Sequence, residues 1–377
     1  MLKLLHLADL HLDSPFKNLS YNKSVRLRAL QREVFSSALK FAYDQNCVAV
    51  LISGDLFDSE FYTADTINFL CDAFTKYSNI RFIISPGNHD PYRHGSPYKL
   101  SKFPGNVYIF TDEELACLVF PEIDLNVYGY AFTSQSYSKD PIENFTAESS
   151  GFNVLCAHSD IDSPLGSYAY IAPSSIENSC LDYIALGHIH TRPAIMKKGG
   201  TVYAYSGCIA GRDFSEYGEK GGILVTLSEQ NGEKEVKSER ITFCPWIYRT
   251  ENISIEGASS QTQAEDIIKQ TLSSDRTRNN EYEYITRITL SGTVDFELDE
   301  KLLLNRLSDL AVTEIENSTF YLADEKEFLN DYSVKGQFYK KLAPLLSSDD
   351  PTVRKRALSA LRLGLKALSG SDLSIDE

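Results

Sequence analysis

The chain has 377 residues, 42% of them hydrophobic and 11% aromatic, enough for the cores of two or three domains. Its formal net charge of −15 argues against nonspecific, backbone-wide binding to DNA, so a nuclease of this composition would lean on metals, a local basic patch, a dimer or a basic partner. No apolar run is long and uncharged enough to span a membrane, His6 and Asp9 break up the N-terminal run that a signal peptide would need, and seven scattered cysteines without a Cys-x-x-Cys pair read as small core residues of a reducing cytoplasm.

The predicted elements follow in chain order. The apolar run 3–8 predicts a strand that ends on Asp9-Leu10-His11. Leu27, Leu30, Val34, Ala38 and Phe41 recur at helical spacing and predict a helix over 24–45. Residues 48–53 predict a second strand, which ends on Gly54-Asp55-Leu56-Phe57-Asp58. Ile67, Leu70, Cys71 and Phe74 predict a helix over 63–77, and 80–85 a third strand running into Gly87-Asn88-His89-Asp90. Strand and helix thus alternate as in a βαβ unit with a parallel sheet. Short strands dominate afterwards: 107–110, 127–132, 153–157 with His158 at its end, 183–186 with Gly187-His188-Ile189-His190 at its end, 201–206 and 223–227. Two sheets packed face to face and flanked by helices account for this order. The polar, patternless stretch 133–150 predicts a surface loop at the border of a cleft.

Residues 229–233 read as a polar turn between two strands, and a boundary falls near Phe243-Cys244-Pro245. The division expected is 1–243, 246–323 and 324–377. The middle block reads strand 248–255, helix 263–272, strand 284–291, helix 300–310 and strand 313–321, a small α/β module. Its basic residues, Arg249, Lys269, Arg276, Arg278, Arg287 and Arg306, are diluted by acids. A helical stretch is expected over 324–345. A last helix starts at Asp350-Pro351 and stops near Gly370. It carries an apolar stripe of Val353, Ala357, Leu361, Leu365 and Leu368 beside Arg354, Lys355, Arg356, Arg362 and Lys366. Such a helix packs on its own chain or docks in a partner's groove.

Five of the seven histidines fall at the strand ends, where α/β folds assemble their sites. Oxygen and imidazole donors without a thiolate suit Mn, Fe or Zn in a binuclear centre. We assign Asp9, His11, Asp55 and His190 to one ion and Asp55, Asn88, His158 and His188 to the other. Asp55 bridges, because a carboxylate can be shared and an imidazole normally cannot. Asn88 ligates without adding charge, which keeps the centre net positive toward an anionic phosphate. His89, next to a ligand, is placed over the site to hydrogen-bond a phosphate oxygen or protonate a leaving group, with Asp90 holding its other ring nitrogen. These two are the candidate catalytic residues. Asp58 and Asp13 are supporting candidates of lower rank, His6 reads as a buried, hydrogen-bonded core residue, and His94 as solvated.

The words His6-Leu7-Ala8-Asp9-Leu10-His11-Leu12, Gly54-Asp55-Leu56-Phe57-Asp58, Pro86-Gly87-Asn88-His89-Asp90 and Gly187-His188-Ile189-His190 together resemble the calcineurin-like metallophosphoesterase superfamily. Within it the chain is similar to SbcD-like DNA repair exonucleases, and most of all to bacterial YhaO-type proteins. Tyr205-Ser206-Gly207-Cys208 and the stretch 214–222 extend the match, which covers about residues 1–243 well. The resemblance implies a two-sheet α/β metallophosphoesterase sandwich with a small capping module and C-terminal helices. It implies two Mn2+ ions, hydrolysis of phosphodiesters at DNA ends by a hydroxide held between them, and an SMC-like ABC ATPase partner of the SbcC type. The alternative reading is a phosphoesterase acting on a small phosphoester or a phosphoprotein, which fits the acidic balance better. A third, a metal-free scaffold, sits poorly with a complete ligand set. One departure is Leu12-Asp13-Ser14-Pro15, where such exonucleases carry a glycine soon after the first histidine. The extra carboxylate at Asp13 would oppose DNA or hold a ligand histidine.

Overall fold

The computed structural model describes residues 1–16, 21–59, 62–148, 150–164, 166–274, 281–294, 296, 298–310, 312–321 and 325–368. Two compact units divide the chain: Met1–Tyr248 with Glu281–Glu283, and the remainder. In chain order the first unit contains β1 (Leu2–Leu7), α1 (Tyr21–Asp44), β2 (Ala49–Ile52), α2 (Ala64–Lys76), β3 (Arg81–Ile84), α3 (Pro97–Leu100), β4 (Val107–Ile109), β5 (Ala116–Phe120) and β6 (Leu125–Gly129). It continues through β7 (Phe152–His158), α4 (Pro173–Asn178), β8 (Tyr183–Gly187), β9 (Met196–Lys198), β10 (Thr201–Tyr205), β11 (Gly221–Gln230) and β12 (Glu233–Thr242).

These strands form two six-stranded sheets, in the orders β12-β11-β1-β2-β3-β4 and β5-β6-β7-β8-β10-β9. The centre of each is parallel, β1-β2-β3-β4 in one and β6-β7-β8-β10 in the other. Parallel strands covered on both faces need continuous apolar runs, and Leu4, Leu5, Leu7, Val50, Leu51 and Ile52 are fully buried. Alternation then divides the layers. Leu4, Leu51, Ile83 and Val225 pack against Val127, Val154, Cys156 and Ala185 of the facing sheet. Phe82 points the other way and meets Phe74 of α2 at 4.4 Å between ring centroids. Leu155, Ala157, Ile184 and Leu186 cluster with Ile176 of α4 on the outer face of the second sheet. The edge strand β12 is protected by charge, with Glu233, Lys234 and Glu235 exposed.

The stretch 133–150 is not a plain surface loop. Tyr137, Ile142 and Ala147 are buried in the second core cluster, and the Asp140 carboxylate accepts hydrogen bonds from Ala172 N and Ser175 Oγ at the start of α4. Three anchors without a period carry no signal for an element, so only the polar residues between them were legible. His6 is buried as expected, with Nδ1 2.9 Å from the Tyr183 hydroxyl and Nε2 3.1 Å from Leu186 O, and His94 is exposed.

The second unit takes in β13 (Trp246–Ser254), whose first residues close the first unit, then α5 (Gln261–Ser274), β14 (Glu283–Ser291), β15 (Thr293–Val294), α6 (Glu300–Arg306), β16 (Val312–Asn317), β17 (Phe320–Tyr321), α7 (Glu325–Asn330), α8 (Val334–Leu346) and α9 (Pro351–Leu368). Ile268, Leu272, Ile288, Leu290 and Leu303 form its core. Its basic residues meet acids: Arg249 with Glu251, Lys269 and Arg306 with Glu265, Arg287 with Glu314. Arg276, Arg278 and Gly370 lie outside the described residues. The helix expected over 324–345 is interrupted at 331–333, where Ser333 caps α8 by accepting from Gly336 N. Asp350 Oδ1 accepts from Thr352 N at the head of α9. Ala357 and Leu361 of the apolar stripe are buried while Leu368 is 41% exposed, and Gly364 leaves room for the Phe338 ring of α8. The stripe is thus in part an intrachain contact. Among the described residues no helix is long and apolar enough to cross a membrane.

Candidate metal centre

The ends of β1, β2, β3, β7 and β8 deliver their residues to one place. The segments after β1 and β2 are zipped together by Asp9 N to Gly54 O, His11 N to Asp55 O and Leu12 N to Leu56 O. Asp9, His11, Asp55 and His188 all have positive φ, 51°, 46°, 51° and 98°, a conformation that costs a non-glycine residue about 1 kcal/mol or more and that clusters at functional sites. Carboxylates stabilise the turns: Asp9 accepts from His188 N at 3.1 Å and Asp55 Oδ1 from His89 N at 3.0 Å. Gly54, at φ 86°, leaves room for the His158 ring, which any side chain there would overlap.

Among the described residues three overlapping groups of close donors result: Asp9, His11 and His190; Asp9, Asp55 and His158; His11, Asp58 and His89. Asp55 Oδ2 lies 3.6 Å from His11 Nε2 and 3.5 Å from His158 Nε2, between the two ligand sets. Asn88 Oδ1 is 2.8 Å from His158 Nε2. Asp9 also approaches His158, but at Nδ1 (3.9 Å), which already donates to Ser53 O at 3.1 Å. That contact therefore leaves Asp9 with His11 and His190. His188 joins none of the three groups; its ring packs at 5.3 Å from His158 and 4.5 Å from Tyr168.

Lone-pair arithmetic tests whether cations fit. His158 faces two acceptors, Ser53 O and Asn88 Oδ1, yet a neutral imidazole donates only once. Burial pulls its pKa down to about 4, so a second proton is not available at neutral pH. His190 must donate from Nδ1 to Glu216 Oε1 at 2.7 Å, which leaves its Nε2 lone pair 3.1 Å from His11 Nε2. His11 Nδ1 lies 3.2 Å from Asp58 Oδ1, too oblique for a hydrogen bond, and is otherwise buried and unpartnered. A proton on its Nε2 would leave a bare Nδ1 lone pair facing that carboxylate. A divalent cation in each place would satisfy the facing lone pairs. Burial raises Asp9 to about 7 and raises Asp55 as well; it pulls His11 well below its ordinary value and His188 to about 4. These directions belong to the polypeptide by itself, and two cations would bring both carboxylates back to the ionised form.

His89 is exposed at the mouth, its ring edge-on to His11 at 5.0 Å. Its Nδ1 lies 3.0 Å from Asp58 O, and a carbonyl only accepts, so Nδ1 donates and Nε2 is the free nitrogen. Asp90 does not hold this ring. Its buried carboxylate accepts from Gly87 N (2.8 Å), Phe57 N (3.0 Å) and the Tyr98 hydroxyl (2.5 Å), which fixes the loop carrying Asn88 and His89. Backbone donors at the head of that tight loop capture the carboxylate before the neighbouring ring can, and burial beside Asp55 raises its pKa to about 6. Asp13 is hydrogen-bonded within the fold and not to a ligand histidine. It accepts from Thr63 N (2.8 Å) and Thr66 Oγ1 (2.7 Å), pairs with Arg32 at 3.3 Å, and so docks the first loop on the N-terminus of α2.

The sequence reading missed Arg212 and Glu216. Glu216 is 2% exposed. Burial pushes its carboxyl up, but the hydrogen bond from His190 and the Arg212 guanidinium outweigh this and hold it well below the carboxylate range. His190 is pulled down by burial and raised overall by Glu216 and Asp9. Arg212 Nη1 meets Asp58 Oδ1 at 2.8 Å and Nη2 meets Glu216 Oε1 at 2.6 Å. Lys220, 1% exposed, donates to His190 O at 2.8 Å. Charged residues four apart (212, 216, 220) in a glycine-containing loop after a buried strand were the available signal.

A two-sheet α/β sandwich whose strand ends gather two carboxylates, an amide and histidines defines a metallophosphoesterase. The chain belongs to the calcineurin-like phosphoesterase family, which residues 2–192 match. Family and donor clusters together point to two divalent metal ions. The chain is 25% identical over 303 residues to the uncharacterized metallophosphoesterase YhaO of Bacillus subtilis strain 168, covering 78% of this chain and 72% of that one. It is 28% identical over 222 residues to the DNA double-strand break repair protein Mre11 of Saccharolobus solfataricus, covering 55% of this chain and 54% of that one. Among solved structures, a dimetal phosphatase from Danio rerio aligns with 64% of this chain and 97% of its own at 11% identity, TM-score 0.41.

Proposed function

We propose that this metallophosphoesterase is a nuclease that hydrolyses phosphodiesters at DNA ends, with two Mn2+ ions at the strand-end cluster. The observation that carries the chemistry is the position of Asp55 Oδ2, 3.5–3.6 Å from imidazole nitrogens of both ligand sets. We assign Asp9, His11 and His190 to one ion, Asn88, His158 and His188 to the other, and Asp55 to both. When bound, such ions lower the pKa of a water and neutralise phosphoryl oxygens. The protein's own part is orientation and proton transfer. His89 donates from Nδ1 to Asp58 O, which aims Nε2 at the open mouth; in its protonated form Nε2–H hands a proton to the departing oxygen. Asp90, through Gly87 N and Phe57 N, holds the turn that presents Asn88 and His89.

The DNA reading draws on the similarity to Mre11, a DNA double-strand break repair protein, and on the exonuclease-like motif words. An SMC-like ABC ATPase partner, a possible homodimer and a cytoplasmic location belong to the same proposal. The net charge of −15 and the acid-paired basic residues of the second unit favour a second reading, a small phosphoester or phosphoprotein substrate. An end-labelled duplex and p-nitrophenyl phosphate, each assayed with Mn2+ and with Mg2+, separate the two. The nuclease reading expects metal-dependent cutting of the duplex well above monoester turnover. Monoester turnover with an intact duplex would establish the second reading.

A further inference from the structure

We propose that Arg212 is a positioning residue for one of the two ions only, acting through Asp58 and Glu216 on His11 and His190. The inference rests on the binuclear reading above and adds to it an inequality between the two ion positions.

The contacts form a ring. Arg212 Nη1 holds Asp58 Oδ1 (2.8 Å), which faces His11 Nδ1 (3.2 Å). Arg212 Nη2 holds Glu216 Oε1 (2.6 Å), which takes the proton of His190 Nδ1 (2.7 Å). The ring closes where His11 Nε2 and His190 Nε2 face each other at 3.1 Å, the place left for an ion. Arg212 N and Nε also bond Glu216, at 2.8 Å to Oε2 and 3.0 Å to Oε1, so that carboxylate has no freedom to turn. A carboxylate on the far nitrogen of an imidazole fixes its tautomer and raises its basicity toward a metal; Glu216 does this for His190 through a hydrogen bond, while Asp58 faces His11 Nδ1 at 3.2 Å as a charge. One guanidinium faces two carboxylates, so the ring carries one net negative charge toward the cation.

Among the described residues, no guanidinium-held carboxylate contacts His158. His158 Nδ1 is held by the carbonyl of Ser53, and its own carbonyl accepts from the Tyr130 hydroxyl at 2.6 Å. These supports are neutral, and the main-chain one is untouched by any change at Arg212. Two carboxylates on separate segments need the two arms of a guanidinium; a lysine ammonium, though equally charged, does not span them in the same geometry.

The test uses full-length protein stripped of metal by chelation, with Mn2+ titrated calorimetrically into wild type, Arg212→Lys and the isosteric Glu216→Gln. Electron paramagnetic resonance of the same samples distinguishes a coupled ion pair from an isolated ion, and thermal melts of the stripped proteins establish that each variant is folded. We expect two ions in wild type. In each variant one ion keeps its affinity and the other weakens roughly 10–100-fold, with an isolated-ion signal at low metal. Wild-type affinity for both ions in both variants overturns the proposal, as does equal weakening of both, or intact metal binding with a rise in KM alone, which would make Arg212 a substrate contact. If one variant fails to fold, the other decides. Wild type binding no ion pair would instead bring down the binuclear reading itself.

Discussion

The two halves of the centre are held by different physics. His11 and His190 lie beyond the strand ends, and ionised side chains stand beside them: Asp58, Glu216 and the arginine between them. His158 is the last residue of β7 and sits against β2 across the sandwich, so the carbonyl of Ser53 orients it. At the end of β7 a neutral carbonyl dipole orients His158, while beyond the strand ends paired charges stand beside His11 and His190. The first half should respond to charge-altering substitutions, and the second to substitutions that move the backbone.

Four changes would break or sharpen this contrast. Asp55→Asn removes the residue common to both halves. Elemental analysis should find neither ion retained, with hydrolysis down by roughly 10³-fold or more, the scale of losing a preorganised charge at the reacting centre. Two tightly held ions in this variant would contradict the bridging assignment. His89→Ala belongs to neither half and should keep both ions while its rate falls roughly 10²–10⁴-fold; loss of metal would recast His89 as a ligand. Gly54→Ala attacks only the neutral half, since the methyl overlaps the His158 ring and the backbone is at φ 86°. It should cost about 1–3 kcal/mol in the melt and weaken one ion, the reverse of the pattern expected for Glu216→Gln.

The smallest effect concerns His6, whose Nε2 meets Leu186 O beneath the neutral half. Burial lowers its pKa from 6.5 to about 3. Above pH 6.5 neither folded nor unfolded chain is protonated there. Below it the unfolded chain takes a proton that the folded one refuses, so stability falls with pH until about 3. Asp9, raised by burial to about 7, works in the opposite sense, so the test needs a difference. Relative to His6→Gln, metal-stripped wild type should lose about 2 kcal/mol between pH 7 and pH 5 in urea melts. Parallel curves would mean that His6 is not held neutral.

The string of clustered donors was legible because each stands where an apolar run stops, and the fold because βαβ spacing and short strands each have a period. Arg212 and Glu216 were not legible. Their role depends on Asp58, Glu216 and His190 meeting across more than a hundred residues of chain, and a charged pair in a loop reads as solvated until its burial is known. Asp90 misled for a related reason: adjacency to His89 in sequence suggested a partner, while the tight turn points the carboxylate back at Gly87 N and Phe57 N. Asp13 read as an unwelcome charge because Arg32 and the α2 cap that neutralise it lie on other elements.

Metal binding and turnover measured together test the central claim most directly. Metal-stripped full-length protein is titrated with Mn2+ while hydrolysis of bis-p-nitrophenyl phosphate, a small diester, is followed in the same samples. The account predicts two ions bound per chain, with activity rising as the second is taken up and absent with the first alone. Full activity at one ion per chain, or diester hydrolysis that persists without metal, would contradict it.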